Sequence, residues 1–366
     1  MNIKTVLIRV DASANVGSGH LVRCKSLAMK FLDSGVGVIF AIKTSDAKLL
    51  SNLKMIGFIV EVIPAQYSFE EDANLTAELA KRHNSNLIIT DICSDSNVKN
   101  SKNFKKYFLK LNQYNLNIAV IDDLEKIDLP FNLQIIPYFG ADKINYNLHP
   151  NTRYLLGEKY FIAPTSLGGN FKKKVIQNKI KNILISLGGS DKDDLTIFAL
   201  KALEGDSRYE VQVVIGPYFN NKAKEYLNDN ANSKSWTIYP KENLCDGLIW
   251  ADLAIIGLGL TRYEAAICGV PNISITREKL EKYNNDAFIT SGIGEYISII
   301  GDDKTDLLNT INKIEVARDT NLIFWCGDER IFSNANGLET EIINFSNVQH
   351  ICIDNLNNYI YFAGAS

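Results

Sequence analysis

The 366-residue chain has little of what marks several protein classes. Its six cysteines, Cys24, Cys93, Cys245, Cys268, Cys326 and Cys352, lie far apart, with no C-x-x-C pair. That spacing excludes a zinc knuckle and a secreted disulfide scaffold, and it points to a reducing compartment. No run of about eighteen apolar residues occurs, so no transmembrane segment is expected. The opening MNIKTVLIRVD enters a strand pattern directly, without the basic region, apolar core and cleavage site of a signal peptide. A cytoplasmic location is the expectation. Charge of either sign is not in excess either. A formal net charge of −3 draws neither nucleic acid nor an anionic membrane, so any anionic ligand must be held by local geometry. There is no G-K-S/T of a Walker loop, no full G-x-G-x-x-G fingerprint and no D-x-D near the proposed sugar site, and neither cofactor nor metal is expected. Asp122 and Asp123 follow a strand and could mimic a D-x-D, but strand-end acids are common.

What is present is an alternation. Short β-rich apolar runs (TVLIRV, VGVIFAI, FIVEVI, LIITD, IAVIDD) take turns with helical stretches: HLVRCKSLAMKFLDSG, DAKLLSNLKMIG and helices near 69–82 and 102–111. From about 127 to 178 the rhythm is lost among Pro130, Pro137, Pro150, Pro164 and the polar run GGNFKKKVIQNK, read as the approach to a linker. It resumes with KNILISLGG, a helix near 194–203, VQVVIG, a helix near 222–228, WTIYP, ADLAIIG, TRYEAAICG and PNISIT, and closes with a helix near 304–318. Strands alternating with crossover helices predict parallel sheets covered on both faces. The expected architecture is α/β, with two doubly wound Rossmann-type domains at 1–165 and 178–346 and a central cleft. The strand-like residues 347–366 do not fit the repeat and form an extra segment.

Within this frame DASANVGSGHLVR, at 11–23, is informative because a glycine loop stands between a strand and a helix. Backbone N–H groups at Gly17, Ser18 and Gly19 can approach a ligand closely, and the first N–H groups of the helix are unpaired. Together they suit a phosphate or carboxylate. His20, at the helix start, would point into the cleft, where the helix dipole favours the neutral, base-competent imidazole. The alternative is a tight turn with His20 as a cap. Arg23, three residues on and on the same side, either reaches a phosphate or pairs with an acid. In the second half ISLGGSDKDD places Gly188, Gly189 and Ser190 between a strand and a helix. IIGLGLTRYEAAICGVP repeats that logic with Gly257, Gly259, Leu260, Thr261 and Arg262 ahead of Glu264, whose carboxylate can accept two ribose hydroxyls. The plainer readings are an ordinary β–α turn and a solvated glutamate.

At these residues DASANVGSGHLVRC resembles the opening signature of the UDP-sugar hydrolase family of pseudaminic acid biosynthesis. Members of that family remove UDP from 2,4-diacetamido-2,4,6-trideoxy-β-L-altropyranose and share the GT-B architecture of the UDP-N-acetylglucosamine transferase of peptidoglycan synthesis. The likeness runs on through IITD, VIDDL, YLLGEKY, ISLGGSD and VVIGP to ADLAIIGLGLTRYEAAICGVP, roughly residues 3 to 300. The resemblance implies a UDP-sugar substrate and His20 as the base that activates water for attack at the anomeric carbon with inversion. It implies that Gly17 and Gly19 shape the pyrophosphate and sugar pocket, and that Gly188, Gly189 and Glu264 hold the UDP. Two departures stand out. Where the family has Asp-His-Tyr, this chain keeps Asp91 but has Ile92 and Cys93, and the family's Asn-Gln has no equivalent in register in REKLEKYNND, although Asn284 and Asn285 are near. The departures favour a rival, an inverting GT-B glycosyltransferase in which His20 deprotonates a sugar or protein hydroxyl. A second rival is an inactive nucleotide-sugar binder.

Asp11 or Asp91 could orient the imidazole or a sugar hydroxyl. Of the other histidines, His83 is expected at an exposed helix end, His149 in a loop and His350 in the tail. The basic run at 172–174 reads as a solvated linker face, and Trp250, Tyr263 and Phe288 fit helical core spacing.

Overall fold

In a computed structural model of the chain the described residues are 3–12, 19–44, 46–92, 101–121, 129–143, 149–167, 179–219, 221–231, 236–240, 244–277, 294–299, 301 and 303–319, with strand segments 332–333, 339–340, 350–354 and 359–363. The chain divides into two compact units, Met1–Thr165 with Asn347–Ser366, and Ser166–Ser346.

The first unit is a seven-stranded parallel sheet of order β3-β2-β1-β4-β5-β6-β7, built from β1 (Thr5–Asp11), β2 (Gly37–Lys43), β3 (Ile59–Val62), β4 (Leu87–Asp91), β5 (Asn117–Ile121), β6 (Leu133–Ile136) and β7 (Arg153–Leu156). Helices α1 (Gly19–Asp33), α2 (Ala47–Met55), α3 (Phe69–Arg82) and α4 (Ser101–Leu111) follow β1 to β4 in turn. Side chains alternate across a strand, so β1 feeds two cores. Val6, Ile8 and Val10 pack with Leu27 and Phe31 of α1. Leu7 packs with Ala73 and Ala77 of α3 and with Tyr107 and Phe108 of α4. Both faces being covered explains why these strands read as unbroken apolar runs. Local chemistry starts the helices: Ser68 and Glu71 form a reciprocal capping box on α3, and Asp46 caps α2 through the Leu49 amide. The stretch read as arrhythmic supplies β6 and β7. Each is only four residues long and set among prolines, too short to display a period, yet every residue of β6 is buried.

The second unit is a six-stranded parallel sheet of order β10-β9-β8-β11-β12-β13. Its strands are β8 (Asn182–Ser186), β9 (Glu210–Ile215), β10 (Trp236–Pro240), β11 (Leu253–Ile256), β12 (Asn272–Thr276) and β13 (Gly294–Ser298). Between them run α5 (Leu195–Leu203), α6 (Asn221–Ala231), α7 (Leu244–Trp250) and α8 (Thr261–Ile267), and the helix Thr305–Asp319 follows β13. One core gathers Ile183, Ile185, Ile255 and Ile273 with Phe198 of α5, and the other gathers Leu184, Ala254 and Ile256 with Leu248 of α7 and Ala265 of α8. Near the C-terminus His350–Asp354 pairs antiparallel with Tyr359–Ala363, a hairpin unlike the parallel repeat.

Candidate active site

In the first unit the chain reverses its direction of growth between β1 and β4, the point where open α/β sheets bind ligands beyond the carboxyl ends of their strands. Asp91 is the last residue of β4 and fully buried. Above it stands α1, with His20 as its second residue. His20 Nδ1 lies 2.6 Å from Asp91 Oδ1, and the His20 side chain is 17% exposed. Arg23, one turn further along α1, grips the same carboxylate with both arms, Nε to Oδ2 and Nη2 to Oδ1, each at 2.6 Å. Its Nη1 donates to the Tyr138 hydroxyl at 2.7 Å, and Cys24 Sγ donates to Asp91 Oδ2 at 3.3 Å. A carboxylate with this many donors stays ionised. Burial alone would raise its pKa, but the Arg23 guanidinium, and after it His20, hold it well below the usual carboxylate range. The same carboxylate and the burial push the Cys24 thiol well up.

An imidazole that gives its Nδ1 proton to Asp91 keeps a lone pair on Nε2. This is the orientation a general base requires. Of the two acids expected to orient His20, the structure assigns Asp91. Asp11 instead accepts from Arg9 Nη1 at 2.6 Å, while Arg9 Nε and Nη2 bond Asp72 of α3 at 2.9 and 2.6 Å. Arg9 is 1% exposed, and both aspartates hold its pKa above the ordinary value although burial opposes them. Lys43 stands 3.7 Å from Asp72 and donates to the Tyr67 carbonyl. This second charge network lies on the α3 side of the sheet, since Arg9 and Asp11 alternate with Val10. Arg23, expected either on a phosphate or on an acid, is taken by the acid and is 2% exposed. Gly17 and Ser18 lie outside the described residues, and Gly19 opens α1.

In the second unit the corresponding switch point lies between β8 and β11, and both glycine loops follow these strands. Gly188 has φ +87°, a conformation that suits glycine, and with Gly189 and Ser190 it is half-buried. The amides that open α5 are already engaged: Asp191 accepts from Leu195 N at 2.9 Å and Thr196 N at 2.8 Å. That helix start is therefore occupied by the protein's own carboxylate, whose pKa burial raises. Gly259 is exposed and has open space where a Cβ would stand, without a left-handed φ. Leu260 precedes α8, and Thr261 and Arg262 are buried. Glu264 is 4% exposed, which rules out the solvated glutamate considered above.

Several residues of these sites carry no signal in the sequence. Tyr138 follows one of the unrecognised short strands, and Asp72 sits inside a helix pattern. Ile92, where the resembled family has histidine, is buried among the α3 and α4 side chains. Cys93, Asp122, Asp123, Phe288 and the Asn284 and Asn285 pair lie outside the described residues, as does the basic run at 172–174. His83 caps α3 half-buried, with Nε2 bonded to Glu61 at 2.8 Å, rather than at an exposed end. Tyr263 is buried, and Trp250 packs partly buried against the core that holds Leu248 and Ala265. Cys24, Cys245 and Cys268 are not joined in disulfides. Among the described residues no helix is long and apolar enough to cross a membrane.

Similar folds are found among solved structures. A putative UDP-N-acetylglucosamine 2-epimerase from Listeria monocytogenes matches with a TM-score of 0.57 at 11% identity, covering 87% of this chain and 90% of that one. MurG of Acinetobacter baumannii matches with a TM-score of 0.52 at 14% identity, covering 87% and 95%. The fold is GT-B. In sequence, the chain is 25% identical over 300 residues to the uncharacterized protein MJ1062 of Methanocaldococcus jannaschii. That match takes in 78% of this chain but only 58% of the relative's length. No protein-family model matches the chain.

Proposed function

We propose that the protein is a nucleotide-sugar hydrolase that releases UDP from a UDP-activated hexose of the diacetamido-trideoxy type. The observation that carries this reading is the His20–Asp91 contact, which orients the ring with Nδ1 on the carboxylate, the arrangement in which Nε2 can act as base. Water bonded to Nε2 gives its proton to the imidazole as its oxygen attacks the anomeric carbon. The bond from that carbon to the diphosphate oxygen breaks on the opposite face, so the configuration inverts and UDP leaves as the anion. A diphosphate is a good leaving group and needs no acid. Positioning and charge stabilisation supply the rest of the acceleration. With the α5 amides occupied by Asp191, the diphosphate contact falls to the 257–261 loop, where Gly259 lets backbone approach closely. Gly188, Gly189 and Ser190 are assigned to the nucleotide beside it, and Glu264 to the ribose.

One observation favours a second reading, transfer to a sugar or protein hydroxyl. The position after Asp91, polar in the resembled hydrolases, is here the buried Ile92, which offers nothing to hold a water. Incubation with UDP-sugars separates the two. UDP and free sugar formed without an acceptor support hydrolysis, and UDP formed only when acceptor is added supports transfer. Tight binding with no turnover under either condition, unchanged by His20→Gln, overturns both.

A further inference from the structure

We propose that Arg23 is a positioning residue that keeps His20 a base: its guanidinium offsets the charge of Asp91, so the imidazole is oriented by the carboxylate without being held protonated by it. The inference rests on the reading of His20 as general base and deepens it. A buried carboxylate 2.6 Å from an imidazole nitrogen does two things at once. It selects the tautomer with the proton on Nδ1, which is useful, and it favours the doubly protonated ring, which removes the base. The second effect must be cancelled without losing the first. The structure places a permanent cation where it does this. Arg23 Nη2 lies 2.6 Å from the oxygen that faces His20 and 3.0 Å from His20 Nδ1 itself. Arg23 and Asp91 are 2% and 0% exposed, so water screens neither charge.

The geometry also shows why arginine rather than lysine occupies this position. Two N–H groups fit the two carboxylate oxygens in parallel, which prevents the carboxylate from rotating, and the third arm is held by the Tyr138 hydroxyl at 2.7 Å. Tyr138, from the end of β6, therefore fixes the guanidinium from behind. Among the described residues the titratable groups bonded within this cluster besides His20 include Asp91 from β4, Arg23 and Cys24 from α1, and Tyr138. The acid at the end of β1, Asp11, is committed to Arg9.

The test reads the ring itself, so it does not depend on turnover. Histidine side chains are labelled with ¹⁵N in the full chain, His20 is assigned by its loss in His20→Gln, and its resonances are followed against pH. In the wild type the neutral ring is expected with its proton on Nδ1. In Arg23→Gln the titration midpoint is expected to rise by about one pH unit or more, a tenfold tighter hold on the second proton. Arg23→Lys, with its charge kept, is expected to restore most of the difference. Asp91→Asn, which leaves the cation unopposed, is expected to move the midpoint down. This keeps the inference falsifiable if Arg23→Gln does not fold. A midpoint unmoved or lowered in Arg23→Gln, or unmoved or raised in Asp91→Asn, overturns the inference. These shifts with no turnover on any nucleotide-sugar would sink the proposed function instead.

Discussion

Gly216 lies against Gly189 so closely that a Cβ on residue 216 would collide with the carbonyl oxygens of both Gly188 and Gly189. The Gly189 carbonyl also accepts from the Tyr218 amide at 2.9 Å. The turn after β8 thus rests directly on the backbone of the loop after β9, and each holds the other in place. Gly216→Ala is expected to destabilise the second unit by about 1–3 kcal/mol, because backbone atoms cannot move aside as a side-chain tip can. Chemical denaturation followed by tryptophan fluorescence measures it.

Gly259 is the opposite case. Its φ and its surroundings would both accept a Cβ. Gly259→Ala should leave the melting temperature within a degree or two of wild type, on the order of the small effects of surface substitutions. Its effect should fall on binding, with UDP affinity down about tenfold or more by calorimetry. Unchanged affinity would remove this loop from the nucleotide site.

His20→Gln is expected to lower turnover by about 10²- to 10⁴-fold, the usual contribution of a general base, with UDP affinity kept. Parallel measurement of kcat and of UDP dissociation checks it, and a loss confined to KM would argue for a binding role.

Asp91 also links folding to pH. Its native pKa is depressed, so its contribution to stability is complete above the ordinary carboxylate value and is lost as pH falls through the lower native one. Stability of the first unit should therefore climb with pH through the acid range and level off above about pH 5. In Asp91→Asn the climb should be shallower. Asp191 works the other way: its native pKa is raised, so its contribution declines as pH rises from the ordinary carboxylate value through the native one. Asp191→Asn should abolish that decline while still capping α5, and Asp191→Ala should cost about 0.5–2 kcal/mol by releasing two amides. Denaturation midpoints across pH test all three variants.

Arg9→Met is expected to cost about 3–5 kcal/mol, because it leaves Asp72 and Asp11 without their buried cation. The double variant Arg9→Met with Asp72→Leu should cost less than Arg9→Met alone, since only the partly exposed Asp11, and no longer the buried Asp72, then loses its partner. A double-mutant cycle on unfolding free energy reads the coupling.

The sequence by itself determined the elements. Apolar runs bounded by glycine and polar turns specify the long strands, helical periodicity and caps such as Ser68 and Asp46 specify the helices, and alternation of the two specifies parallel sheets. It also placed a histidine at the first helix and glycines at the switch points, because those are local arrangements of neighbours along the chain. The short β6 and β7 escaped it, being four residues each, with no room for a period. Which charge meets which was decided only by tertiary structure. Arg23 reaches an acid 68 residues away and Arg9 one 63 residues away, while Asp11, adjacent in sequence to the glycine loop, turns to the other face of the sheet. The reason is physical: strand order and the two-residue alternation of side chains bring distant carboxylates under one helix or another. Burial then makes an unpaired charge so costly that the nearest opposite charge in space, not in sequence, becomes its partner.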